Sequence, residues 1–177
     1  MDSSSPPEAV AERVLAARAE RLARVEEVVA SGRPVAHTCF SRGGARFAVP
    51  AAALRRVIAV DRICELPGST AVVPGVVVYD GDLLSAHDLH AWFRRPDDVE
   101  APTWGLVVDV EGGRLVLLAD EIDDVQTLDL DQLTPPPIGL RESGALLVGV
   151  HESDVLVLCP DALFRQPGFA FAVRAER

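Results

Sequence analysis

From residue 35 onward apolar and polar positions alternate in short runs, each closed by a turn signal, with no long helical period between them. Residues 35–40 alternate, Arg42-Gly43-Gly44 turns the chain, and residues 47–49 return, which predicts a hairpin. Residues 50–53 read as a single turn, 54–60 as a further strand and Leu66-Pro67-Gly68 as a loop. In residues 74–89, PGVVVYDGDLLSAHDL, an apolar run meets Asp80-Gly81 and resumes at Leu83-Leu84. Asp-Gly between apolar runs is the strongest short-range hairpin signal, because both central residues of a type I′ turn need positive φ. The Val-rich run carries no charge, so it reads as a buried strand and not as a solvated edge. Asp88 reads as the N-cap of a short helix through Phe93.

The same series of elements then recurs. Residues 94–102 form a linker by composition. Residues 104–110 and 114–119 read as strands around Glu111-Gly112-Gly113, and 125–128 as another. Pro135-Pro136-Pro137 forms a stiff exposed loop. Residues 145–150 and 155–159 form a last hairpin around Glu152-Ser153-Asp154, and Pro160-Asp161 starts a short helix over 162–166. Gly44 and Gly113 stand 69 positions apart in matching turns, and Asp82-Leu83-Leu84 matches Asp154-Val155-Leu156 at an offset of 72. Asp88-Leu89 before Trp92-Phe93 matches Asp161-Ala162 before Leu163-Phe164. Each half thus has two hairpins, a linking strand and a closing helix. The fold class is mainly β, with two small five-stranded barrels packed together, and no parallel α/β sheet.

The first residues have a different pattern. Residues 1–7 are a polar, disordered leader, in which Ser5 can cap a helix that has Pro6 at its first position. A helix over 8–31 follows, with Leu15, Leu22 and Val29 at seven-residue spacing and Val14 and Val25 beside them. Gly32 and Pro34 stop it. Its apolar stripe needs a surface, either its own domain or a partner helix. The domain spans 35–177, in halves 35–100 and 103–167 with a tail at 168–177.

Composition narrows the function. At 49% hydrophobic residues the chain can bury a core, but only 5% are aromatic, so Val, Leu and Ala must fill it. Net charge is −10, and every one of the 17 basic residues is Arg. Such a surface lacks the basic stripe that nucleic acid or an anionic membrane requires. Cys39, Cys64 and Cys159 are odd in number and form no CxxC, as expected of small apolar thiols in a reducing compartment. No signal peptide or membrane-spanning run is present, so the expected location is cytoplasmic.

Several constellations could carry chemistry. His87, Asp88 and His90 have metal-ligand types, but Asp88 is explained as a cap and no third strong ligand is near. Asp120, Glu121, Asp123 and Asp124 could hold Mg²⁺, yet no phosphate-binding loop accompanies them, and a solvated strand end accounts for the charges. Ser85 near His87 lacks a nucleophile elbow, and Cys39 near His37 lies on one strand. Neither pattern supports an enzyme, and no cofactor is expected.

Residues 75–81, Gly-Val-Val-Val-Tyr-Asp-Gly, followed by Asp88-Leu89, resemble a G-V-I-N-L-R-G … D-L core, that of the CheW family of chemotaxis coupling proteins, and the resemblance runs from about residue 35 to 165. Phe40, Gly44 through Val49-Pro50, Val57-Ile58, Leu66-Pro67 and RLVLLADEI (114–122) match further family segments in order. The helix VLAARAERLAR resembles an N-terminal extension of some members. The resemblance implies two SH3-like barrels and a non-catalytic adaptor between the cytoplasmic tip of methyl-accepting chemoreceptors and the regulatory domain of the histidine kinase CheA. Members of this kind work at membrane-associated receptor arrays without entering the membrane. Asp80 and Asp82 stand in the hairpin beside which the kinase domain would dock, and Tyr79 there is either a cross-strand packing residue or a contact anchor. Val57 and Ile58 are either core or, on a strand that in this family partly lines the groove between barrels, interface residues. The chain departs from the family at Asp80, where the pattern has Arg, and at Val78, Ser85 and Val116, where it has Asn, Pro and Gly.

Overall fold

The computed structural model describes residues 32–93, 99–137, 140, 146–152 and 154–165. The leader, the helix over 8–31 and the tail at 168–177 lie outside the described residues. Strands β1 (Pro34–Arg42) and β2 (Ala45–Pro50) form the first hairpin, and a 3₁₀ turn at Ala51–Ala53 leads to β3 (Leu54–Ala59). Strands β4 (Gly75–Tyr79) and β5 (Asp82–His87) form the second hairpin, followed by helix α1 (Leu89–Trp92). The series repeats as β6 (Trp104–Val110), β7 (Gly113–Ala119), β8 (Glu121–Asp129), β9 (Leu147–His151), β10 (Val155–Leu158) and helix α2 (Pro160–Arg165). Turn chemistry fixes the hairpins. Gly43 and Gly44 have φ of 58° and 72°, and Asp80 and Gly81 have 53° and 85°, the positive values that a two-residue I′ turn needs.

The strands form two five-stranded sheets, ordered β8-β1-β2-β10-β9 and β3-β6-β7-β5-β4. Each curls into an SH3-like barrel, and neither barrel is one half of the sequence. The hairpin β1–β2 sits with the linking strand and second hairpin of the other half, and β6–β7 does the reverse. Parallel pairings of β2 with β10 and of β5 with β7 join the halves. The cause is the short crossovers: three residues separate β2 from β3, and Asp120 alone separates β7 from β8. A repeat identifies equivalent strands but not their partners, because the exchange leaves each barrel the same set.

Each barrel closes through one bridge. Cys64 and Val76 exchange N–H···O bonds of 2.8 and 2.9 Å, and Thr134 and Val150 do so at 2.9 and 2.8 Å. Glycine allows the close approach. A Cβ on Gly75 would lie 2.2 Å from the Cys64 carbonyl oxygen, and one on Gly149 would lie 2.8 Å from Leu133 Cβ.

Alternation along the strands sorts the core into three clusters. Cys39, Ala48, Leu128, Val155 and Val157 fill the barrel that holds β1. Val77, Leu84, Ala86, Val107, Val116 and Leu118 fill the other. Between the barrels lies the largest cluster, with Phe40, Phe47, Val49, Leu89, Leu106, Leu115, Leu117, Leu158 and Leu163. Phe47 stacks at 5.5 Å on Phe40 and at 5.8 Å on Phe93. One expectation needs correction: β4 is an outer strand, not a fully buried one. Val77 faces the barrel interior, whereas Val78 is 62% exposed. A run of valines has no polar residue to mark its outer face.

Candidate partner-binding surface

The β4–β5 hairpin separates its side chains by parity. Val77 and Tyr79 point into the barrel with Leu84 and Ala86, and half-buried Tyr79 packs on that cluster. Tyr79 is therefore first a packing residue. The opposite face runs from buried Val76 and His87, near the other barrel, to exposed Val78 and Leu83 near the turn. Val78 and Leu83 face each other in register and are 62% and 52% exposed. Two large apolar side chains at a hairpin end are thus open to water side by side. Asp80 is exposed at the tip. Asp82 begins a row of charges across four strands, exposed except for half-buried Arg114: Arg114 at 4.0 Å, Asp109 a further 3.6 Å on, and Arg55 3.8 Å beyond it. Such solvated pairs contribute little stability, so their charge pattern is free to serve recognition.

Strand β3 carries the second candidate surface. Val57 pairs in register with Leu106, a residue of the inter-barrel cluster, so Val57 lies on the inter-barrel face and is 37% exposed. Ile58 points the other way and packs into the barrel. Trp104, paired with Ala59, is 38% exposed. Val78, Leu83 and Trp104 are thus exposed apolar side chains beside the residues marked in the sequence. The structure places Tyr79 and Ile58 largely in packing roles.

The junction of the barrels holds a buried ion cluster that connects four segments. Arg42, 4% exposed at the end of β1, donates from Nε and Nη2 to Asp88 Oδ2 at 3.1 and 2.7 Å. Its Nη1 donates to Asp120 Oδ1 at 2.6 Å and to the Glu100 carbonyl at 2.8 Å. Asp120 Oδ2 accepts the Gly43 N–H at 2.7 Å, and Asp88 Oδ1 caps α1 by accepting the His90 N–H at 2.9 Å. Burial opposes the guanidinium charge, but the bonds that Arg42 donates to Asp88 and Asp120 outweigh it and raise its pKa. A cleft of about 470 Å³ opens beside the cluster, lined by Gly43, Glu100, Thr103, Asp120 and Glu121.

The groups with possible chemistry are held by separate partners. Asp88 serves Arg42 and the helix cap, while His87 Nε2 lies 2.8 Å from Ser85 Oγ. Asp123 pairs with Arg46 at 2.8 Å. Among the described residues no three His, Cys, Asp or Glu side chains converge as metal ligands. Burial pushes the His87 pKa down to about 4, and also lowers that of His37.

The CheW-like domain family model matches residues 37–167, across both barrels. The chain belongs to the CheW-like domain family. Its fold is similar to that of the scaffolding protein TtCheW from Thermoanaerobacter tengcongensis, with a TM-score of 0.65 and 19% identity, covering 76% of this chain and 95% of that one. No curated protein matches the sequence. As a CheW-like chain it is a scaffold or adaptor of chemotaxis-type signalling. In this frame Asp80 is distinctive, because it puts a carboxylate at the hairpin tip where the CheW pattern has Arg. No helix among the described residues is long and apolar enough to cross a membrane.

Proposed function

We propose that this CheW-like chain is a non-catalytic adaptor that couples the cytoplasmic tip of a methyl-accepting chemoreceptor to the regulatory domain of a CheA-type histidine kinase. It would work in the cytoplasm at membrane-associated receptor arrays. The match of the family model across both barrels carries the reading. The kinase domain docks on the β4–β5 hairpin, where Val78 and Leu83 supply apolar contact and Asp80 and Asp82 supply charge. A helical receptor tip lays its apolar stripe along Val57 and Trp104. Co-purification with the CheA regulatory domain and with a receptor cytoplasmic fragment tests this. Retention of both, lost from the kinase arm on Leu83→Asp and from the receptor arm on Val57→Asp, is the expected result.

Asp80 favours a second reading: an adaptor in a different signalling system that has left the typical kinase or receptor. A partner built to meet Arg would meet a like charge or an unpaired one here, and that costs enough to exclude it. Asp80→Arg separates the readings. Loss of binding to the cognate kinase shows a partner matched to Asp80, whereas unchanged or improved binding removes the charge reversal as a specificity device.

A further inference from the structure

The chain enters its first strand at an anchored point. Pro34 pairs with Asp129 at the end of β8, the Arg33 N–H donates to Asp129 Oδ1 at 2.9 Å, and the Leu130 N–H donates to the Arg33 carbonyl at 3.1 Å. Gly32 packs on the same carboxylate, which leaves no room there for a Cβ. The sequence pattern predicts an amphipathic helix over residues 8–31, so only Gly32 and Arg33 stand between that helix and β1. A connection this short keeps a helix beside the sheet that it joins.

Next to the anchor a strip of sheet is uncovered. Ala36 pairs with Thr127, and Thr38 with Val125. Thr38 is buried, but Ala36, Thr127 and Val125 are exposed, Val125 at 60%. Side chains two apart on a strand point to the same side, so these residues share one face. The strip ends at Asp123-Asp124, where the pairing of β1 with β8 shifts register. Asp123 is held by Arg46, and Asp124 is exposed.

The predicted helix matches this strip in polarity, charge and spacing. At about 100° per residue, Val14, Leu15, Leu22, Val25 and Val29 fall within about 100° of arc, and Arg18 falls inside it. An Arg within an apolar stripe needs an acidic partner in the surface that covers the stripe. Counted back from residue 32 at about 1.5 Å per residue, Leu22 stands about 15 Å along the helix and Arg18 about 21 Å. Counted from Asp129 at about 3.3 Å per residue, Val125 stands about 13 Å along β8 and the acidic pair about 17–20 Å. Apolar meets apolar, and the Arg meets the acids.

We propose that residues 8–31 fold back over β8 as a helix antiparallel to β1, with Val29, Val25 and Leu22 on Ala36, Thr127 and Val125, and Arg18 against Asp124. The two-residue tether gives this segment a local concentration that a separate protein does not have at that face. The apolar area is small, so the helix is a displaceable cover, and a protein that uses this face must first release it. Most of the stability of such a helix comes from packing its apolar side, so release also unwinds it.

Hydrogen–deuterium exchange on the purified full chain tests this. Amides over 14–29 exchange about tenfold or more slowly than in an unfolded chain, to the same extent at low and high protein concentration. Arg18→Glu and Val125→Asp each remove that protection, and Arg18→Glu combined with Asp124→Arg restores it. Protection of the β1 and β2 amides reports in the same experiment that each variant keeps its fold. Unprotected amides over 14–29 in the native chain overturn the proposal. Protection that rises with concentration overturns it too, because the helix then pairs with a second copy. So does protection unmoved by Arg18→Glu or Val125→Asp, or not restored by the charge exchange.

Discussion

Arg42 is 4% exposed and donates to two carboxylates, those of Asp88 and Asp120. Removing one member of such a cluster strands the others, at about 3–5 kcal/mol. Arg42→Met should lower stability by that amount in chemical denaturation. The two carboxylates are not equal. Asp88 is 12% exposed and also caps α1, whereas Asp120 is 32% exposed and can be rehydrated. Asp88→Ala should therefore destabilise more than Asp120→Ala, by about 1–2 kcal/mol. His87 sets a pH dependence. Its folded pKa, about 4, lies below the ordinary 6.5, so the unfolded state takes a proton first as pH falls. Stability contributed by the neutral imidazole is full above pH 6.5 and declines down to pH 4, by about 3 kcal/mol in all. His37, also lowered by burial, adds in the same direction. His87→Gln should flatten the decline seen in denaturation midpoints between pH 7 and pH 4. An unchanged slope would contradict the assignment.

At the scale of elements, barrel closure depends on backbone approach at two glycines. A Cβ at Gly75 would overlap the Cys64 carbonyl, which is main chain and cannot swing aside. Gly75→Ala should cost about 2 kcal/mol or more and raise proteolysis of the segment between β3 and β4, read by limited digestion. Hairpins, the α1 cap and the repeat were legible in the sequence because turn residues and caps act over a few positions. Asp80-Gly81 and Gly43-Gly44 have the φ values their residue types imply. Partner choice was not legible. Which hairpin β2 joins is decided by the crossover at Ala51–Ala53, and period-2 alternation is the same for either pairing. The same limit hid the outer position of β4. Arg42 was read only as part of a turn, and its burial follows from Asp88 and Asp120, 46 and 78 positions away.

Across the whole molecule, the exchanged halves tie both barrels to one core, so a contact on the hairpin and a contact on β3 sit on one body. One shared core suits the proposed adaptor, in which the two surfaces would be held at a fixed separation. The apolar pair on the hairpin and Val57 on β3 belong to the same barrel but to different strands, so substitutions should separate the two proposed bindings. Leu83→Asp should weaken kinase-domain binding about tenfold or more while leaving receptor binding intact, and Val57→Asp should do the converse. The central claim is that this CheW-like chain binds a CheA-type regulatory domain through the β4–β5 hairpin. Isothermal titration of the full chain with the cognate regulatory domain tests it most directly. A one-to-one complex, abolished by Val78→Asp with Leu83→Asp in a variant whose thermal unfolding is unchanged, is the predicted result; no heat of binding from the native chain, or undiminished binding by the double variant, would contradict the account.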